Sequence, residues 1–396
     1  MRVSTLGFQT DASNQMQSLE AEITQTQTEL STGIALQNAA DNPAAMAQVT
    51  QLNAQISASK QYQTNGSALN SNLQIEEQSL SDATTAMQSA RDLAVEANNA
   101  ALTPSQRQDI STQLQQLLQQ LMSTANSTDS NGNFVFSGET NTTQPFSQSG
   151  PSVAYNGSTS VSQVQISSNQ RISSGDSGAS VFMNIPGGNG TFTTSVGAGN
   201  TGTATIDTGT VTNASLWMPP DTYTIKFTDA TDYTVTNSEG ATITGGPYTS
   251  PGAIVFNGIS TTVTGTPAAG DTFTVAPAGT VSAFSTISNL ITALNNPNLS
   301  SAQLTSQVGT TLQQMDAAVS NFSNVSASVG ARINAITAAG TTATASQTAM
   351  TGQVTSLQDV DYAAATTQLS TQELALQAAQ ESYASIAKMS LFNYLQ

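Results

Sequence analysis

The stretch LQQMDAAVSNFSNVSASVGARINAITAAGTTATASQTAMTGQVTSL, residues 312–357, decides the architecture. Leu312, Met315, Val319, Phe322, Ser326, Val329, Ile333 and Ile336 follow one another at spacings of three and four. Gly340, Ala343, Gln347, Met350, Val354 and Leu357 continue the same register. Residues so spaced lie along one stripe of a helix, and a sustained seven-residue repeat gives a left-handed supercoil with a partner helix. Such a seam needs a partner elsewhere in the chain.

Working outward, candidate partners sit near both ends. Leu69, Leu73, Leu80, Ala83, Met87 and Ala94 form a second seam, with Glu76 and Ala90 in its register. Before it, Met46, Val49, Leu52 and Ile56 mark a helix that Asn42 caps and Pro43 opens. Thr103-Pro104-Ser105-Gln106 is a capping box with proline at the first position, ahead of Ile110, Leu114, Leu117 and Leu121. Another helix starts near 281 with Phe284, Ile287, Leu290, Ile291 and Leu294, and Ser300-Ser301-Ala302-Gln303 offers a second capping box. Residues 1–40 read as one helix whose seam is Met16, Leu19, Ile23 and Leu30, with Thr26 in the remaining slot. The last 40 residues carry a matching seam at Leu369, Leu376, Tyr383 and Ile386, with Leu391 and Leu395 beyond it. These terminal stripes suit partner helices better than a bulky core, so the two tails are expected to pair and to join copies of the chain.

Between the helical arms the texture changes. Helical character stops at Ser127-Thr128-Asp129-Ser130-Asn131-Gly132, and Phe134-Val135-Phe136-Ser137-Gly138 reads as a short strand. From about 147 to 280, Gly, Thr, Ser and Asn dominate and apolar residues alternate. Tyr223, Ile225 and Phe227 alternate with Thr224 and Lys226; Ile259, Thr261 and Val263, and Phe273 and Val275, do the same. The expected organisation is an N-terminal assembly helix (1–42), a helical segment (43–146), an inserted β domain (147–280), a second helical segment (281–358) and a C-terminal assembly helix (359–396).

Composition excludes several functions. The chain has 396 residues, formal charge −17 and only 8% charged residues, against about a quarter in ordinary globular domains. Its eight basic residues are scattered singly, which argues against nucleic acid and anionic membrane surfaces. With no Cys and no His, thiol nucleophiles, imidazole bases and zinc sites of Cys or His are ruled out. No run of 18 apolar residues exists, and Met1 to Glu22 lacks the apolar core of a secretory signal.

The remaining chemical motifs are weak. Ser57-Ala58-Ser59-Lys60 and Ser385-Ile386-Ala387-Lys388 match S-x-x-K without the partner motifs that serine catalysis requires. Asp129-Ser130-Asn131-Gly132-Asn133 fails as a calcium loop, with Phe134 where glycine is needed, and reads as a turn. Glu76 and Glu77 read as solvated helix positions, and Arg332 as an ion-pair partner beside the long seam. No catalytic residue, cofactor or metal is expected. Trp217, Tyr223 and Tyr248 are the exposed aromatics that a glycan-binding or adhesin-like β domain would use.

Two segments carry a resemblance. Leu30-Ser31-Thr32-Gly33 followed by Asn38-Ala39-Ala40-Asp41-Asn42-Pro43-Ala44 resembles the N-terminal signature of bacterial flagellins and related flagellar proteins. Gln377-Ala378-Ala379-Gln380 and the run from Ile386 to Leu395 look like their C-terminal helix. Phe134-Val135-Phe136-Ser137-Gly138 with Pro145-Phe146, and Val329-Gly330-Ala331-Arg332-Ile333-Asn334, are similar to the hook–filament junction branch of that family. Gly270-Asp271-Thr272-Phe273-Thr274-Val275 is similar to segments of several hook-associated proteins. Ile34-Ala35-Leu36 departs from the pattern, since a basic residue is expected after Ser-Thr-Gly.

The resemblance implies an α+β fold: an elongated flagellin-like rod of long N- and C-terminal coiled-coil helices with an inserted all-β domain. It also implies a structural part of the extracellular bacterial flagellum, exported by the flagellar type III route without a cleaved signal. Expected partners are further copies of the chain, another hook-associated protein on the hook side, flagellin on the filament side and an export chaperone. A flagellin proper is the nearest alternative.

Overall fold

The computed structural model describes residues 5–394 apart from positions 100, 198, 218, 220 and 300. Six helices flank a region of short strands: α1 (Thr5–Thr32), α2 (Pro43–Ala97), α3 (Pro104–Ala125), α4 (Ala283–Leu294), α5 (Ser301–Gln358) and α6 (Tyr362–Tyr394). The chain divides into two compact units, one of residues 1–64 and 339–396, the other of residues 65–338. Helices α2 and α5 contribute residues to both.

The central unit, 65–338, has a dense helical core. Leu73, Leu80, Met87, Leu114 and Leu121 are completely buried, as are Met315, Phe322 and Val329 of the long seam. Contacts between α2 and α5 run in opposite directions along the two helices: Glu77 accepts from Ser326 at 2.5 Å, and Arg91 pairs with Asp316 at 2.6 Å. Helix α3 starts on the expected capping box. The Gln106 N–H donates to Thr103 Oγ1 at 3.3 Å, and the Thr103 N–H donates to Gln106 Oε1 at 2.9 Å. On this helix Leu118 is buried and Leu117 half-buried, which shifts the expected stripe by one residue.

The strands are β1 (Phe146–Ser149), β2 (Ser152–Tyr155), β3 (Gln163–Ser167), β4 (Gln170–Ser173), β5 (Ile185–Pro186), β6 (Phe192–Val196), β7 (Thr205–Ile206), β8 (Thr210–Val211), β9 (Tyr223–Phe227), β10 (Asp232–Thr236), β11 (Thr242–Pro247), β12 (Gly252–Phe256), β13 (Ile259–Thr264), β14 (Thr272–Pro277) and β15 (Thr280–Val281). A five-stranded antiparallel sheet has the order β11-β10-β9-β14-β6, and a second sheet pairs β12, β13 and β7, with β8 also on β13. Alternation selects the inner face: Tyr223, Ile225 and Phe227 are fully buried while Lys226 is exposed. Register lines Val235, Ile225 and Phe273 up across three neighbouring strands, and all three are fully buried. With Ile254, Phe256, Ile259, Val263 and Trp217 they make one apolar core.

Two expectations are corrected here. Phe134–Gly138 is not a strand: only one bridge, Thr128 to Phe134, joins this segment to its neighbour. Phe136 turns inward instead, into a cluster of rings with Phe146, Phe182, Phe284 and Phe322, at centroid distances of 5.1–5.7 Å. The turn needs Gly138 at φ +66°, where a Cβ would come within 2.2 Å of the Ser158 carbonyl oxygen. Glu76 and Glu77 are not solvated either. Glu76 is 1% exposed and Glu77 is half-buried, because the α2 face that carries them is covered.

In the unit formed by 1–64 and 339–396, the first helix is shorter than the expected span of 1–40. It ends at Thr32, where Gly33 takes φ +73° and its N–H donates to the Glu29 carbonyl at 2.8 Å, an αL stop. The chain resumes helix at Pro43, with Asn42 accepting from the Ala45 N–H at 3.1 Å as its cap. The second capping box falls on Ser300, outside the described residues.

Candidate assembly surface

Helix α1 packs along α6. The segment after α1 meets the break between α5 and α6: Ala35 N–H donates to the Gln358 carbonyl at 2.8 Å, and Val360 N–H donates to the Gly33 carbonyl at 3.0 Å. Ile34 and Asp359 form an antiparallel bridge, and Leu36 is buried beside them. The two helix breaks are therefore tied together by backbone bonds, and each leads into one of the paired terminal helices. The apolar Ile34-Ala35-Leu36 run, which departs from the family pattern, provides the buried residue of this joint.

Thr26 apart, the expected seam residues whose side chains are described are half-buried rather than fully covered. Met16, Leu19, Ile23 and Leu30 on α1 are half-buried, as are Leu369, Leu376 and Tyr383 on α6. Ile386 and Leu391 fall on α6, their side chains outside the described set, and Leu395 lies outside the described residues. The fully buried residues of the α1 seam reduce to Thr26, at 3% exposed. Its Oγ1 lies 3.1 Å from Oε1 of Gln372, itself 9% exposed, and 3.0 Å from the Glu22 carbonyl. Gln372 occupies the slot between Leu369 and Leu376. Its polarity hid it from a search for apolar spacing, although the three-four rhythm 369, 372, 376 contains it.

A buried polar pair in an otherwise apolar seam favours one register, because a slip would set Gln372 against apolar side chains without its Thr26 contact, while Thr26 keeps the Glu22 carbonyl of its own helix. Helix α6 also leaves apolar side chains exposed: Leu374 is 68% exposed and Tyr362 57%. Further along this unit, α2 and α5 meet through polar side chains. Gln63 Nε2 donates to Thr344 Oγ1 at 2.8 Å, and Gln347 Nε2 donates to Ser59 Oγ at 3.0 Å.

The other candidate residues resolve differently. Ser57 Oγ donates to the Asn53 carbonyl at 2.8 Å on an exposed helix face, an ordinary helical contact. Asp129 accepts from the Asn131 and Asn133 N–H groups, each at 2.8 Å, and so closes the expected turn. Trp217, Tyr223 and Tyr248 are 9%, 0% and 6% exposed, which removes them as glycan-stacking residues. Tyr248 turns its hydroxyl to the Val263 and Gly265 carbonyls. Among the described residues no three acidic side chains group as a metal site, and no helix is long and apolar enough to cross a membrane.

Comparison with known proteins places this architecture. The bacterial flagellin N-terminal helical region matches residues 3–141, and the bacterial flagellin C-terminal helical region matches 312–395. Residues 196–277 match the D2-like domain of flagellar hook-associated protein 1. The fold is thus that of a flagellin-type protein, with flagellin-like helical regions at both ends and an inserted β domain.

Two solved structures from Legionella pneumophila narrow this. Flagellar hook-associated protein 3 is 30% identical with TM-score 0.73, the match covering 78% of this chain and 98% of that one. The flagellar junction protein FlgL is 30% identical with TM-score 0.70, covering 79% and 100%. The chain belongs to the flagellar hook-associated protein 3 family. The curated hook-associated protein 3 of Salmonella typhimurium is 32% identical over 185 residues, which span 47% of this chain and 58% of that protein.

Proposed function

We propose that this chain is a structural subunit that joins flagellar hook to flagellar filament, and that it assembles through its paired terminal helices. The observation that carries the reading is the α1–α6 pair, held in register by Thr26 and Gln372 while its apolar seam stays half-buried. Two helices alone cover one side of each other. A ring or lattice of such pairs would cover the rest, including Leu374. Met16, Leu19, Ile23, Leu30, Leu369, Leu376, Tyr383, Ile386, Leu391 and Leu395 are the proposed assembly residues. Segments 1–42 and 359–396 are the proposed assembly segments, and 147–280 the inserted domain.

The partners are copies of the chain, a second hook-associated protein towards the hook and flagellin towards the filament, with an export chaperone before assembly. The site of action is the extracellular flagellum, reached by flagellar type III export with no cleaved signal. Membership of the hook-associated protein 3 family supports this over a flagellin proper. Deleting the gene in its host tests the proposal: cells should keep their hooks and shed flagellin into the medium. Cells with normal filaments would reject it.

A further inference from the structure

The central unit contains a buried acid that the proposed function does not use. Glu76 sits within the apolar seam of α2 and is 1% exposed. Its Oε1 accepts the Asp176 N–H at 3.0 Å, while its Oε2 is buried without a hydrogen-bond partner. Glu76 lines a small cavity of about 110 Å³ together with Asp129, Val135, Gly175 and Asp176. A carboxylate oxygen buried with no donor is costly, whereas a carboxylic acid places a proton on it.

The charges around Glu76 come from four elements. The turn at 174–177 contributes Asp176. Helix α5 contributes Arg332, whose guanidinium pairs with the Asp176 carboxylate and donates to the Gly175 carbonyl at 3.1 Å. The segment after α3 contributes Asp129, and α2 itself contributes Glu77, which accepts from Ser326 at 2.5 Å. One cation thus faces two close carboxyls, Glu76 and Asp176, and its fork is committed to Asp176 and Gly175. With both carboxyls ionised one buried carboxylate has no counter-charge; with Glu76 neutral, Arg332 and Asp176 compensate each other. Arg332 is 13% exposed at its side chain, so its pair is more enclosed than the surface pair expected from sequence.

We propose that Glu76, Asp176 and Arg332 form a proton-gated clasp: with a proton on Glu76 the 174–177 turn is held between α2 and α5, and loss of that proton releases it. Burial first, then the Asp176 charge, pushes the Glu76 carboxyl well above its ordinary value of 4.5. An acid with a raised value in the folded state gives stability that is complete below 4.5 and is lost as pH climbs through the raised value. The turn leads directly into a single π-helical turn, Ala179–Met183, which carries Phe182 of the ring cluster. The Gly178 N–H donates to the Phe136 carbonyl at 2.8 Å. Releasing the clasp therefore loosens the edge of that cluster.

The test is amide hydrogen exchange on the full chain, corrected for intrinsic exchange, from roughly pH 5 to pH 9. Protection at Asp176 and Gly178 should fall about tenfold or more as pH rises, each pKa unit being a factor of ten. In Glu76→Gln the carboxamide stays neutral, and protection should stay level. A level wild-type profile, or an equal fall in the variant, would overturn the proposal. A carboxyl carbon NMR titration of Glu76 in the wild-type chain reads the proton directly and does not depend on the variant folding. A midpoint near 4.5 would also overturn it.

Discussion

The two compact units solve the same packing problem with different materials. In 65–338, helices meet through Leu73, Leu80, Met87 and Phe322, none of them accessible to solvent, and five phenylalanine rings lock the helices to the irregular segments. In the unit of 1–64 and 339–396, the fully buried core is sparse. α1 meets α6 through half-buried aliphatics and one buried Thr–Gln pair, and α2 meets α5 through Gln63, Thr344 and Gln347. The long seam of α5 records the change along a single helix: Met315, Phe322, Val329 and Ile336 are buried, while Ala343, Gln347, Met350 and Val354 are half-buried. Burial of apolar area is the main favourable term in folding. The first unit is therefore built to be stable alone, and the second is left with apolar surface that a neighbour can cover.

Breaking the first side of this contrast should have the larger effect. Phe182→Ala removes the ring that touches Phe136, Phe146, Phe284 and Phe322. It should cost about 3–5 kcal/mol in denaturant unfolding of the monomer, as buried Phe→Ala changes do. A loss below about 1 kcal/mol would mean that the cluster is not a tight core. On the other side, Leu376→Asp should change monomer stability by no more than about 1 kcal/mol, since the position is half-buried, yet abolish co-assembly with filament subunits. Sedimentation reads the second effect and circular dichroism the first. A variant that assembles normally would remove α6 from the interface.

The sequence made the helical seams and the inner strand faces legible, because both rest on a repeated period. Leu80 and Met87, or Ile225 and Phe227, announce themselves by spacing alone. What stayed hidden depends on contacts distant in the chain. Glu76 reads as solvated because Asp176 is 100 residues away and Arg332 reaches Asp176 across a further 156. Phe136 looks like strand because its neighbours are apolar, while a positive-φ glycine two residues on turns it into the ring cluster. Trp217 and Tyr248 look free because nothing local shows which sheet covers them. On α1 and α6 the half-buried apolar stripe was legible, and Gln372, the polar residue buried within it, was not.

Amide hydrogen exchange on the unassembled chain tests the central claim most directly, because it reads both units in one experiment. Weak protection across residues 5–32 and 362–385 beside strong protection at Leu73, Leu80 and Met87 is the expected pattern, with the terminal helices gaining protection on assembly. Equal, strong protection of both units in the monomer would contradict it.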